Sequence, residues 1–186
     1  GFVAPRHLDA IKHVGGTVVA ALDPHDAVGR LDQYGRDIDF FTEPERFERH
    51  LMKLQRTGTP IDWLSVCSPN HLHDVHARMG LHAGASVICE KPMALSPWNL
   101  AAIEKAEEGG RHAYTVLQLR LLPAVQKLRG RTIRHSVQLH YVTPRGNWYR
   151  HSWKADVERS GGIITNIGIH LLDLLLWLYG PVEAMR

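Results

Sequence analysis

The chain has 186 residues, 44% of them hydrophobic and 22% charged, with 22 Lys and Arg against 19 Asp and Glu and a net charge of +3. Apolar content this high with so little net charge excludes a disordered chain, and two Cys with 16 Gly exclude a disulfide scaffold or a collagenous one. The most apolar stretch, 163–180, is interrupted by Asn166, His170 and Asp173, so no run reaches the roughly 18 uninterrupted apolar residues of a membrane span.

In chain order, the pattern predicts a helix over Pro5 to Val14, a strand over Thr17 to Leu22 and a helix over Glu43 to Arg56. It continues with a strand over Trp63 to Cys67, a helix over His71 to Ala83, a strand over Ser86 to Cys89, a helix over Ser96 to Glu108 and a strand over Ala113 to Gln118. Glu43-Pro44 and Ser96-Pro97 place proline in a first helical turn, and Gly84 and Gly109-Gly110 supply helix ends. Nearly continuous apolar strands alternating with helices predict an α/β fold, a doubly wound parallel sheet with right-handed crossovers. Cys67 and Cys89 each end an apolar run without C-x-x-C spacing, as expected of free thiols in a reducing cytoplasm.

After Leu119 the grammar changes. Thr132 to Thr143 alternates apolar and polar residues and predicts an antiparallel strand with one wet face. An irregular aromatic segment follows from Pro144 to Gly162, and an apolar helix over Gly168 to Tyr179 is closed by Gly180-Pro181. The expected division is a dinucleotide-binding domain over 1–119 and the start of an α+β domain with an open antiparallel sheet over 120–186. Gly1-Phe2-Val3-Ala4-Pro5-Arg6-His7 has no basic stretch followed by an apolar run and does not read as a signal peptide. The chain reads as the middle of a protein of roughly 300 to 350 residues, lacking the first strand, and the segment alone is expected to be unstable and inactive.

Four places could carry chemistry. A dinucleotide fold needs a glycine turn feeding a helix and, about 20 residues on, an acid for the ribose; Gly1 and Asp23 stand at that spacing. Asp23-Pro24 equally fits a turn in which Asp accepts backbone N–H bonds. If Asp23 holds a ribose, its charge favours NAD over NADP. Ser68-Pro69-Asn70-His71-Leu72-His73 follows a strand at its carboxyl end, where Ser, Asn and His could bind a ribose or nicotinamide, and Asn70 could equally cap the next helix. Glu90-Lys91-Pro92 follows another strand; a lysine there, partly desolvated, could transfer protons, the alternative being a surface lysine. Asn166, His170 and Asp173 could share a helix face, with Asp173 holding the imidazole, the alternative being a satisfied core histidine.

Two other classes fit less well. Arg129, Arg131 and Arg134 cluster, but cations are interleaved with acids along most of the chain, which argues against nucleic-acid binding. His71, His73 and His76, with His135, His140 and His151 further on, lack the fixed spacing of a zinc site, and no metal is expected.

The Cys89-Glu90-Lys91-Pro92 run, the Ser-Pro-Asn-His turn and the Gly161-Gly162…Asn166…His170 segment together resemble the Gfo/Idh/MocA oxidoreductases, over nearly all of the chain. Within that family, Ala4-Pro5-Arg6-His7 and the run from Pro144 through Asn147-Trp148-Tyr149 to Trp153-Lys154 are similar to the NAD-dependent 3-dehydrogenases of UDP-N-acetylglucosaminuronate from bacterial O-antigen synthesis. The resemblance implies a Rossmann domain, tightly held NAD, a cytoplasmic homo-oligomer with neither membrane nor nucleic acid as partner, and oxidation of the sugar C3 hydroxyl. It places NAD against Gly1, Phe2, Val3, Asp23, Ser68, Pro69, Asn70, His73, Glu90, Lys91 and Gln118, and makes Lys91 and His170 the catalytic pair. Many members carry Asp where this chain has Asn166, and an amide cannot stabilise an imidazolium by charge, so Lys91 gains weight as the base. Thr165 and Asn166 then become sugar-hydroxyl contacts beside Trp148, Lys91 and His170, with Lys154 or Arg145 a partner for the uronate carboxylate. In some members 2-oxoglutarate regenerates NAD. The alternatives are another sugar or inositol dehydrogenase of this family, or a non-catalytic NAD-binding sensor.

Overall fold

The computed structural model describes residues 3–25, 28–130 and 136–184. The expected contacts of Gly1 and Phe2 lie outside the described residues. Helix α1 (Ala4–His13) has Pro5 in its first turn and Lys12 and His13 in its last, favourable positions against the helix dipole. Strand β1 (Ala20–Leu22) is shorter than predicted and pairs in parallel with β2 (Asp39–Phe41), in the register Ala20 to Asp39 and Leu22 to Phe41. The sequence reading missed β2, because three residues with a charged one at their head give no periodicity to count.

Helix α2 (Pro44–Arg56) buries Phe47 and Leu51, four residues apart on one face. Strand β3 (Trp63–Val66) leads through a 3-10 turn, Asn70–Leu72, into α3 (His73–His82). Strand β4 (Ser86–Cys89) then leads into α4 (Pro97–Ala106), whose Ser96 cap accepts the Asn99 N–H. The order β3, β4, β5 (Ala113–Thr115) forms a second parallel sheet. Among the described residues the two sheets are not hydrogen-bonded to each other.

Helix α3 joins the two halves of the core. Its Met79, with Ala83 just past its end, packs with Phe47 and Leu51 against the first sheet, while Ala77 and Leu81 pack with Val66, Val87, Cys89 and Ile103 on the second. Close approach is possible because Gly80 faces the sheet: a Cβ there would stand 2.8 Å from Val87 and 2.9 Å from Leu64. Both cysteines are free, and burial pushes the Cys89 thiol well up.

Beyond β5 come the short α5 (Pro123–Gln126), a 3-10 turn at Asn147–His151, and α6 (Val157–Ser160), capped by Asp156. The strand expected over 132–143 is not formed in its described part: 136–143 pairs with no other strand among the described residues, and a strand without a partner has no ladder to hold it. Gly161 ends α6 at φ +78, in the left-handed region, where a side chain would also strike Leu95 at 2.7 Å. A π-helical turn, Ile164–Gly168, then runs into α7 (Ile169–Tyr179). By length and composition the run Val157–Tyr179 is apolar enough to cross a membrane, contrary to the sequence reading of 163–180. Its Asn166 and Asp173 nevertheless make polar contacts within the fold.

Candidate active site

Because the five strands among the described residues run parallel within their sheets, the residues that follow them collect at carboxyl ends, the edge where open α/β sheets take ligands. Asp23 follows β1, Ser68 to Asn70 follow β3, Glu90 and Lys91 follow β4, and Gln118 opens a 3-10 turn past β5. The first turn of α1 stands beside this edge, since His7 reaches both Ser65 in β3 and Glu90 past β4. Its positive end, headed by Val3 as cap residue, therefore faces the crevice.

Asp23 Oδ1 accepts the His25 backbone N–H at 2.9 Å, so the Asx turn is formed. Against the opposing effect of burial, that bond helps hold the carboxyl below its usual range, and it is an anion at neutral pH. An acceptor anion past β1, for ribose hydroxyls, and the N–H donors of a helix N-terminus and of the groups past β3 and β4 together fit a dinucleotide.

Lys91 is half-buried. Its Nζ donates to Asn166 O at 2.5 Å and to Asn166 Oδ1 at 3.3 Å. The carbonyl comes from the π-helical turn, whose extra residue disturbs the regular backbone ladder at a place where a side chain needs an acceptor. Burial pushes the Lys91 ammonium down, Glu90 works the other way, and the positive charges of Lys154 and Arg145 add to the lowering. The Arg145 guanidinium lies 4.9 Å over the Tyr149 ring, and its Nε is buried without a hydrogen-bond partner. Lys154 Nζ lies 5.7 Å over the ring of Trp148, which is itself exposed.

Asn70 does not act as the helix cap that the sequence offered as its alternative role. Its Nδ2 donates to Ser160 O at 2.8 Å and to Asn166 Oδ1 at 3.4 Å, tying the turn after β3 to the segment that holds Lys91. Asn166, 6% exposed, thus has its side-chain oxygen on both Lys91 and Asn70, and Thr165 lies beside it in the same turn. His73 is 1% exposed, with Nδ1 2.6 Å from Pro92 O and Nε2 2.8 Å from Ser68 O. Both ring nitrogens face protein carbonyls, so His73 braces the turn that begins at Ser68 and Pro69 against the Lys91-Pro92 turn and has no ring nitrogen to offer a cofactor. The Ser68 hydroxyl is within 2.9 Å of His76 Nδ1.

Asp173 does not hold His170. Its carboxylate makes a two-pronged ion pair with Arg120, Nε to Oδ2 at 2.9 Å and Nη2 to Oδ1. Helix geometry allowed both arrangements, and the sequence held no signal that Arg120 would arrive from 53 residues away. His170 Nδ1 is buried without a partner, and burial, then the positive charge of Lys91, push the imidazole down so that it is neutral at pH 7. His7 was missed as well: nothing in Ala4-Pro5-Arg6-His7 announces a contact with residue 90.

Parallel strands with an acid past the first, a helix N-terminus at their carboxyl edge and a half-buried lysine past the fourth define a dinucleotide-binding Rossmann protein. Residues 1–117 match the oxidoreductase family with NAD-binding Rossmann fold called Gfo/Idh/MocA, and residues 133–186 match the Gfo/Idh/MocA C-terminal domain. The chain belongs to the Gfo/Idh/MocA oxidoreductase family. It is similar to the WlbA (WbpB) dehydrogenase of Thermus thermophilus, solved with NAD and UDP-GlcNAcA: 48% identity, TM-score 0.91, covering 99% of this chain and 62% of that one. The WlbA dehydrogenase of Bordetella pertussis, solved with NADH and UDP-GlcNAcA, superposes with TM-score 0.79 at 26% identity, covering 98% of this chain and 56% of that one. A putative UDP-kanosamine synthase oxidoreductase subunit of Amycolatopsis mediterranei is 31% identical over 181 residues, 91% of this chain and 46% of its own length. The chain thus spans about half to three fifths of the proteins it matches.

Proposed function

We propose that the protein is an NAD-dependent dehydrogenase that oxidises the C3 hydroxyl of a UDP-N-acetylglucosaminuronate-type nucleotide sugar. The observation that carries this is the half-buried Lys91 amine, held by Asn166 O and Oδ1, with burial and the cations Lys154 and Arg145 disfavouring its charge. A neutral amine has two N–H bonds and one lone pair. Asn166 O and Oδ1 take the two N–H bonds, which leaves the lone pair for a hydroxyl proton. NAD, when bound at the carboxyl edge, supplies the two-electron oxidant. The neutral His170 would orient the same hydroxyl, and Thr165 a neighbouring one.

Arg145, with its buried and unpartnered Nε, would take the uronate carboxylate together with Lys154, since a carboxylate brought into a half-buried pocket needs a cationic partner. Trp148 forms the wall beside Lys154. The WlbA structures solved with UDP-GlcNAcA support this choice of substrate. A cytoplasmic site of action, a homo-oligomeric assembly and a place in O-antigen synthesis belong to the proposal through the family resemblance. With the chain divided into 1–119 and 120–186, the cofactor crevice would belong to the first part and the sugar wall to the second.

The test is NADH formation with UDP-N-acetylglucosaminuronate, UDP-N-acetylglucosamine and myo-inositol, with 2-oxoglutarate supplied to reoxidise the cofactor in a parallel set. Turnover with the uronate alone is the expected result. Equal rates with the uncharged sugar would remove Arg145 and Lys154 from recognition, and turnover with myo-inositol alone would overturn the proposal.

A further inference from the structure

His7, in the first turn of α1, takes part in no step above. Its Nε2 lies 3.0 Å from Glu90 Oε1 and its Nδ1 2.7 Å from Ser65 Oγ, and the His7 and Glu90 side chains are 14% and 18% exposed. Ser65 Oγ in turn lies 3.8 Å from Cys67 Sγ, so the hydroxyl can accept from the imidazole while donating to sulfur. With the hydroxyl turned that way both ring nitrogens donate, which is the hydrogen-bond pattern of an imidazolium. The neighbouring Cys67 and then Glu90 push His7 up to about 10 against the effect of burial. Glu90, opposed by its own burial, is held below the usual carboxylate range by His7.

The groups acting on Lys91 come from several elements. Glu90 follows β4, Arg145 and Lys154 stand in the segment before α6, His170 comes from α7, and the buried His73 of α3 senses both Glu90 and Lys91. Within that set Glu90 is the carboxylate, and the group that favours the charged amine. Resting on the reading of Lys91 as the base, we propose that His7 is a positioning residue for Lys91: it holds the Glu90 carboxylate as its own ion pair and keeps it from pairing with the adjacent amine. Without the imidazolium, Glu90 is a half-buried anion whose neighbouring cation is Lys91. A carboxylate that swings over to pair with an amine raises it by about one to three pH units, so the base would be locked as ammonium.

Chemical labelling of Lys91 tests this without turnover. The folded protein is treated with acetic anhydride across a pH series, and acetylation of Lys91, which only the neutral amine undergoes, is read by mass spectrometry of its peptide. His7→Gln keeps a hydrogen bond to Ser65 without the charge. Its labelling midpoint is expected to rise by about one pH unit, a tenfold loss of reactivity at any pH below the midpoint. The double variant His7→Gln/Glu90→Gln should return the midpoint to the wild-type value or below, and Glu90→Gln alone should lower it, which keeps the test available if the single His7 variant folds poorly. An unmoved midpoint in His7→Gln, or a rise that survives Glu90→Gln, would overturn the proposal. A raised midpoint in a protein that oxidises none of the sugars would support the His7 proposal and overturn the dehydrogenase reading instead.

Discussion

Replacing Asn166 with Asp changes one atom group and no shape, and sets a carboxylate where an amide oxygen lies 3.3 Å from Lys91 Nζ. Two unit charges at that separation attract by about 5 kcal/mol at an effective dielectric of ~20. Part of this is lost, because the new carboxylate must itself be desolvated at a site only 6% exposed. The remainder corresponds to a rise of about one to three units in the Lys91 ammonium. The sign follows from the base role: Lys91 works when neutral, so raising it moves the acid limb of the kcat profile to higher pH. At a fixed pH below that limb the rate should fall by about ten- to a thousandfold and return as pH is raised. The assay is NADH formation against pH, with NAD affinity measured in parallel as a control for folding. An acid limb unmoved by Asn166→Asp, with binding intact, would refute the assignment of that limb to Lys91.

Two further outcomes concern the frame of the site. Gly80→Ala should lower stability by about 1–2 kcal/mol, because the gain in helix propensity is outweighed by overpacking against the fully buried Val87 and against Leu64; thermal denaturation showing a stabilised variant would contradict that packing. Asp173→Asn should cost about 1 kcal/mol, a modest figure because Arg120 is 39% exposed and its charge is screened; it should leave the pH profile of turnover in place, and a shifted profile would mean that Asp173 acts on His170 after all.

The sequence made the strand and helix alternation legible because β3, β4 and the helices between them are long enough to show period and punctuation. It placed Lys91 at a carboxyl edge for the same reason. What it did not show were partners far apart in the chain. His7 meets Glu90 across 83 residues, Asn70 meets Ser160 across 90, and Arg120 meets Asp173 across 53. Helical spacing made Asn166, His170 and Asp173 look like one cluster, but a π-helical turn at Ile164–Gly168 and the arrival of Arg120 divide them between two tasks. The alternation over 132–143 described a strand correctly as a pattern, yet a pattern forms a strand only beside a partner.

The central claim is that Lys91 removes the sugar hydroxyl proton. Lys91→Met keeps the length and apolar stem of the side chain and deletes the amine, so NAD binding measured by calorimetry should stay near the wild-type value while NADH formation from UDP-N-acetylglucosaminuronate disappears. Turnover retained within a factor of about ten, less than the usual contribution of a general base, would contradict the account.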